Sequence, residues 1–187
     1  MVGVRRLSLL GCALVFGCTL VLGDLVGVAA RTEALPASPV AEFEVVWDGL
    51  LSTSQAPADD AQRQWLRANG VNTIVTLDDR MFDVAEYGFE SFLWVRLDAG
   101  TAPAEAQAAR LLKFIQMRDN QPVHISGGAR DSRATVVALI RYAVDGWTID
   151  QALAEGQRIN GGAPLSAQQV AWLQGWASSH PPGSHRL

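Results

Sequence analysis

One stretch, Pro122-Val-His-Ile-Ser-Gly-Gly-Ala-Arg-Asp-Ser-Arg-Ala-Thr135, limits what this chain can fold into more than any other. Pro122 to Ile125 reads as a buried strand, Ser126 to Ser132 as a loop with paired glycines, and Arg133 to Asp145 as a helix. A strand that passes straight into a helix is half of a β-α-β unit, and such units stack into parallel sheets rather than hairpin meanders.

The flanking sequence repeats the alternation. Phe43 to Trp47 and Gly49 to Ser52 read as two short strands around an Asp48-Gly49 turn. Asp59 or Asp60 can cap a helix running to Asn69, with Trp65 and Leu66 inward and Gly70 as its stop. Val71 to Leu77 is continuously apolar or threonine, as a strand covered on both faces requires. Phe92 to Leu97 is the next strand. Thr101 to Arg118 follows as a helix with Pro103 in its first turn and Ala108, Leu111, Leu112 and Ile115 on one stripe. Capping boxes at Thr148-x-x-Gln151 and Ser166-x-x-Gln169 open two further helices, the second turning Val170, Leu173 and Trp176 inward. The predicted class is α/β: three layers, with a mostly parallel central sheet of four to five strands flanked by helices.

The front of the chain is different. Met1 to Arg6 carries Arg5 and Arg6, Leu7 to Leu22 is almost wholly apolar, and Val28-Ala29-Ala30 supplies small residues suited to a signal peptidase. This pattern predicts export, with three fates open: cleavage after about Ala30, retention as an anchor through residues 7–23, or lipid attachment at Cys18 in Val15-Phe-Gly-Cys18. In each case the domain ends up periplasmic or otherwise extracytoplasmic, and meets the membrane only through this N-terminal segment. Residues 31–42, with Pro36 and Pro39 among small residues, read as a linker, 43–178 as the domain, and 179–187, with Pro181-Pro-Gly183, as a disordered tail.

Cys12 and Cys18 are the two cysteines of the chain, and both fall in the leader. The domain therefore has no disulfide, no thiolate metal site and no cysteine nucleophile. The net charge is -4, and losing Arg5, Arg6 and Asp24 with residues 1–30 makes it more negative by one. An acidic domain without a basic run excludes nucleic acid as the expected partner. The six tryptophans fall on amphipathic elements and read as core rather than as a carbohydrate platform.

Several strings, in order, resemble the dual-specificity branch of the protein tyrosine phosphatase superfamily, particularly its small bacterial and atypical members. Gly49-Leu-Leu-Ser-Thr-Ser-Gln-Ala-Pro57 is similar to the family's entry strand, and Leu66-Arg-Ala-Asn-Gly-Val-Asn-Thr-Ile-Val-Thr-Leu77 to the segment that follows it. Gln121-Pro122-Val123 resembles the start of the strand before the phosphate loop, and Asp145-Gly-Trp-Thr-Ile-Asp-Gln-Ala-Leu153 the segment after the loop helix. The resemblance covers roughly Phe43 to Trp176. It implies a three-layer phosphatase fold with no cofactor and no metal. It also implies a loop whose amides and arginine hold phosphoryl oxygens, a cysteine that attacks phosphorus, and an aspartate on a neighbouring loop that protonates the leaving oxygen.

Three alignments of that loop are open. One puts Gly127 at the cysteine and Arg133 at the arginine. Another puts Ile125 and Asp131 there, and the third His124 and Arg130, with Gly127 at the family's glycine. None supplies a thiol. The anion cradle remains: Ser126, Gly127, Gly128 and Ala129 can turn backbone N–H groups onto a guest, Ser132 stands near the helix start, and Arg130 or Arg133 can fork onto two oxygens. The plainer reading is a strand-to-helix turn capped by Asp131 and Ser132, with solvated arginines. Asp98, just after the Phe92–Leu97 strand, is the candidate vestigial general acid, on a loop that reads as mobile.

Three functions from different classes follow. The first is a pseudophosphatase that binds a phosphorylated or anionic ligand. The second is a residual or altered phosphohydrolase using His124 or another non-cysteine nucleophile. The third is a membrane-tethered scaffold for a protein partner.

Overall fold

The structure is a computed structural model that describes residues 37–79 and 88–187. The expectations placed on residues 1–36, including the export signal and the first half of the linker, lie outside the described residues. No helix among the described residues is long and apolar enough to cross a membrane.

Two short strands open the domain, β1 (Glu44–Trp47) and β2 (Leu51–Ser54), joined by a turn in which Leu50 N–H donates to Trp47 O at 2.9 Å. Gly49 takes φ +68 there, the left-handed conformation that the Asp48-Gly49 pair suggested. Helix α1 (Asp60–Ala68) starts where Asp59 accepts from Gln62 N–H and ends at Asn69 and Gly70. Strands β3 (Thr73–Thr76) and β4 (Ser91–Trp94) follow, then helix α2 (Glu105–Gln116). The expected stripe of α2, Ala108, Leu111, Leu112 and Ile115, is buried, but Pro103 lies before the Ala104 N-cap rather than in the first turn.

Strand β5 (Val123–Ser126) leads into helix α3 (Arg130–Ile140), whose last turn widens into a π-turn over Arg141–Asp145. Helices α4 (Ile149–Ile159) and α5 (Ala167–Ser179) complete the fold, and both predicted capping boxes are formed.

The strand order is β1-β2-β5-β3-β4, with β1 antiparallel and the rest parallel. β5 thus fills the gap between β2 and β3, and residues 123–126 are buried. Alternation along β5 assigns its neighbours to two cores. Val123 and Ile125 join the large cluster with Leu111, Val137 and Leu173, whereas α1 and Ile74 build a smaller cluster with Val40, Val71 and Phe89. Each fully buried leucine or isoleucine contributes about 1.5–3 kcal/mol, so the large cluster carries most of the stability.

The last nine residues, read from sequence as a disordered tail, lie against the π-turn. Gly183 N–H donates to Tyr142 O at 2.9 Å, His185 N–H to Ala143 O at 2.8 Å, and the Tyr142 hydroxyl to His180 O at 2.6 Å.

Candidate functional site

The loop sits at the carboxyl end of β5, where β2 and β3 also end: Gly127 N–H donates to Ser54 O and Leu77 N–H to Ser126 O. Gly127 and Gly128 take φ +72 and +66, so two consecutive left-handed residues complete the reversal. The helix therefore begins at Arg130 rather than Arg133, and the loop is Gly127 to Ala129 rather than Ser126 to Ser132. Ser126 ends β5 in register with Ser54 and Thr76 and is 2% exposed. Neither Asp131 nor Ser132 is the cap. That position is held by Ala129, which has no side-chain cap bond, so the N–H groups at the start of α3 lack helical acceptors.

A residue that sequence reasoning did not single out occupies this turn. Asp78 follows β3, and its Oδ1 accepts from Gly128 N–H at 2.7 Å while Thr76 Oγ1 donates to Oδ2 at 3.0 Å. A Cβ added at Gly127 would stand 1.9 Å from Asp78 Oδ2. The glycine is thus required by the carboxylate as well as by its own φ. The available signal was only an aspartate after a strand, which is also a common turn former.

Arg133 lies one helical turn beyond the loop, 1% exposed. Its Nη1 donates back to Gly127 O at 3.2 Å and Gly128 O at 2.9 Å, and its Nη2 to the Glu42 carboxylate. Nε has no hydrogen-bond partner among the described residues. Burial pulls this guanidinium below its ordinary range, and the Glu42 carboxylate opposes the shift. Arg130, first in the helix, turns away from the loop: Nε donates to Ile159 O at 2.7 Å and Nη2 to Glu44 Oε1 at 3.1 Å.

The carboxylates of Asp131 and Asp98 are engaged away from Gly127–Ala129. Asp131 Oδ2 accepts from Gly100 N–H at 2.6 Å and Gln169 Nε2 at 3.3 Å. Asp98 offers its backbone carbonyl to Ser132 Oγ at 3.3 Å, but its carboxylate is 66% exposed and pairs with Arg96 at 3.4 Å. Residues 98–101, expected to be a mobile acid loop, are tied on both sides. Ser166 Oγ donates to Gly100 O at 2.8 Å and Gln169 Nε2 to Thr101 O at 3.1 Å.

His124 is fully buried, two residues before the end of β5. The Ser54 hydroxyl donates to Gln55 O at 2.6 Å, so it accepts from Nε2–H at 2.9 Å, and Nδ1 is left to accept from Ser52 Oγ at 2.8 Å. Burial, and secondarily the Arg133 charge, lowers the imidazole pKa from 6.5 to about 3. A neutral ring with both nitrogens engaged, stacked near Phe43, packs the sheet and has no free nitrogen to offer as a nucleophile. Ile125 is equally buried, so neither of the two alignments that place a family cysteine at 124 or 125 puts a reactive side chain in the loop.

Solved structures with this architecture share it over most of their length. The core catalytic domain of the PP-IP phosphatase SIW14 from S. cerevisiae, in complex with citrate, matches at TM-score 0.60 and 15% identity, over 75% of this chain and 93% of that one. The chain has the protein tyrosine and dual-specificity phosphatase fold. Tk-PTP in its active form matches that fold at TM-score 0.57 and 24% identity, over 73% and 97% of the two chains. PTPMT1 in complex with PI(5)P matches at TM-score 0.56 and 17% identity, over 70% and 91%. No protein-family model matches the chain, and no curated protein matches it. Within the phosphatase fold the Gly127–Ala129 turn stands at the end of the central strand, the edge where ligands of open α/β sheets bind.

Proposed function

We propose that this protein is an exported phosphatase-fold protein that lacks thiolate chemistry and binds a phosphorylated or other oxyanionic ligand at the Gly127–Arg133 turn. One observation carries the reading: Gly128 N–H already holds a carboxylate oxygen at 2.7 Å, with the Arg133 guanidinium directly behind the turn. A turn that aims an amide at an internal oxyanion is built to hold an external one.

Two further facts support the loss of chemistry. Residues 19–187 contain no cysteine, and His124 has both nitrogens committed. Citrate and PI(5)P, the ligands held by two of the structural neighbours, are both anionic. Export rests on the Arg5-Arg6, apolar run and Val28-Ala29-Ala30 pattern. It predicts a membrane or periplasmic protein, and recovery of the unprocessed chain in the cytosol would overturn it.

The test is a pair of measurements on the purified protein. A generic aryl phosphate is expected to show no turnover above that of buffer, because removing a nucleophile that works as part of a unit costs several orders of magnitude in rate. Tungstate is expected to raise the melting temperature, and Arg133→Lys, which keeps the charge and loses the fork, is expected to weaken that rise. Family-like turnover, or a melting temperature indifferent to tungstate, would sink the reading.

A further inference from the structure

We propose that Glu42 is a built-in occupant of the arginine half of this site, so that an oxyanion enters by displacing Glu42 and loosening residues 37–43 from the turn. The proposal rests on the oxyanion-binding reading above and names how that site is kept shut.

Three observations carry it. The first is occupancy. Glu42 accepts from Arg133 Nη2, and its other oxygen lies 3.9 Å from Arg130 Nη1. Glu44, two residues on, accepts from Arg130 Nη2 at 3.1 Å and from Arg158 Nη1 at 2.8 Å. Glu42 and Glu44 thus deliver carboxylates to Arg133, which holds the turn, and to Arg130 and Arg158 beyond it, while Asp78 takes the Gly128 amide. A carboxylate and a phosphate present the same kind of oxygen to a guanidinium fork, so the two compete for it directly.

The second is conformation. Glu42 has φ +55, the one non-glycine residue in the left-handed region among the described residues. That region crowds any residue with a Cβ. The kink is held by what the side chain binds, and releasing the carboxylate lets the backbone relax.

The third is position. Residues 37–43 are held by few hydrogen bonds: Gln55 N–H donates to Ala41 O at 2.9 Å, and Ser38 Oγ bridges Val40 N–H and Val40 O. Val40, buried in the smaller cluster, and Phe43, packed against it and against Trp65 and His124, are the segment's apolar anchors. The segment takes in the described half of the 31–42 linker, so occupancy of the turn is converted into how firmly the start of the domain is docked.

The full chain and the variants Glu42→Gln and Glu44→Gln are titrated with tungstate by calorimetry, with hydrogen exchange followed at residues 37–43. If Glu42 fills the site most of the time, removing it as a competitor tightens tungstate binding about tenfold or more. Glu44→Gln, which leaves the Arg133 contact intact, changes it less than about threefold. Tungstate raises exchange at 37–43 in the wild-type chain, and in Glu42→Gln exchange there is already high without ligand. Should Glu42→Gln fold poorly, Glu42→Gly removes the carboxylate and relaxes the positive φ, and the same gain is expected. If Glu42→Gln binds tungstate no better than wild type while both bind, Glu42 is a structural partner of Arg133 and the proposal fails alone. If neither wild type nor any variant binds tungstate, the oxyanion reading fails with it.

Discussion

Asp78 and Asp98 each follow a strand at the same edge of the sheet, yet they do opposite things. Asp78 turns its carboxylate onto the Gly127–Gly128 turn and accepts from an amide and a hydroxyl. Asp98 leaves its carboxylate 66% exposed beside Arg96, and only its backbone carbonyl meets Ser132. Adjacency explains the difference. β3 is hydrogen-bonded to β5, so the chain leaving β3 passes beside the glycine turn, whereas β4 lies one strand further out. An aspartate after a strand is a local signal, and what it touches depends on which strand lies next door.

The largest expected effect tests whether Asp78 and the glycine turn are one unit. Gly127→Ala forces a Cβ into the left-handed region and onto the Asp78 carboxylate. The two penalties together cost about 3 kcal/mol. In an Asp78→Ala background the same change costs only about 1–2 kcal/mol, the backbone share, whereas an Asp98→Ala background leaves the full cost. Urea unfolding of the single and double variants measures the coupling, and additive values would break the comparison.

Asp78→Ala alone is expected to cost about 2 kcal/mol, because it leaves the Gly128 amide without its charged acceptor. A loss below about 0.5 kcal/mol in chemical denaturation would put Asp78 in the same class as Asp98.

Acid unfolding guards against assigning a buried histidine's effect to either aspartate. His124 takes up a proton near pH 6.5 when unfolded and not until about pH 3 when folded. The unfolded state therefore binds more protons in that interval, and stability falls as pH falls, by about 1.4 kcal/mol per unit from this group. The slope is expected to be similar in wild type, Asp78→Ala and Asp98→Ala and shallower in His124→Gln. A slope unchanged in His124→Gln would show that another group carries the acid loss.

The smallest effect is at Asp98. Its exposed pair with Arg96 is worth about 0–1 kcal/mol, so Asp98→Ala is expected to leave both the melting temperature and tungstate binding nearly unchanged. A loss of tungstate affinity comparable to that of Arg133→Lys would return Asp98 to the site.

What the sequence determined by itself is what is encoded within a few residues. The two capping boxes are i, i+3 relations, the α2 stripe is a 3.6-residue period, and the Asp48-Gly49 turn is a dipeptide preference. The alternating elements were enough to predict a mostly parallel α/β sheet, because apolar strands and amphipathic helices have few ways to cover one another, and the family-like strings added the resemblance to the phosphatase fold. The loop's length was misjudged because consecutive glycines can reverse a chain without help from the residues after them, and nothing in Arg130-Asp131-Ser132 shows whether they are loop or helix. The site's chemistry was decided by tertiary structure alone. Asp78 meets Gly128 across 50 positions, and Glu42 meets Arg133 across 91. Charges that far apart along the chain have no local signature; only the insertion of β5 between β2 and β3 brings the carboxylates of two other segments onto one turn.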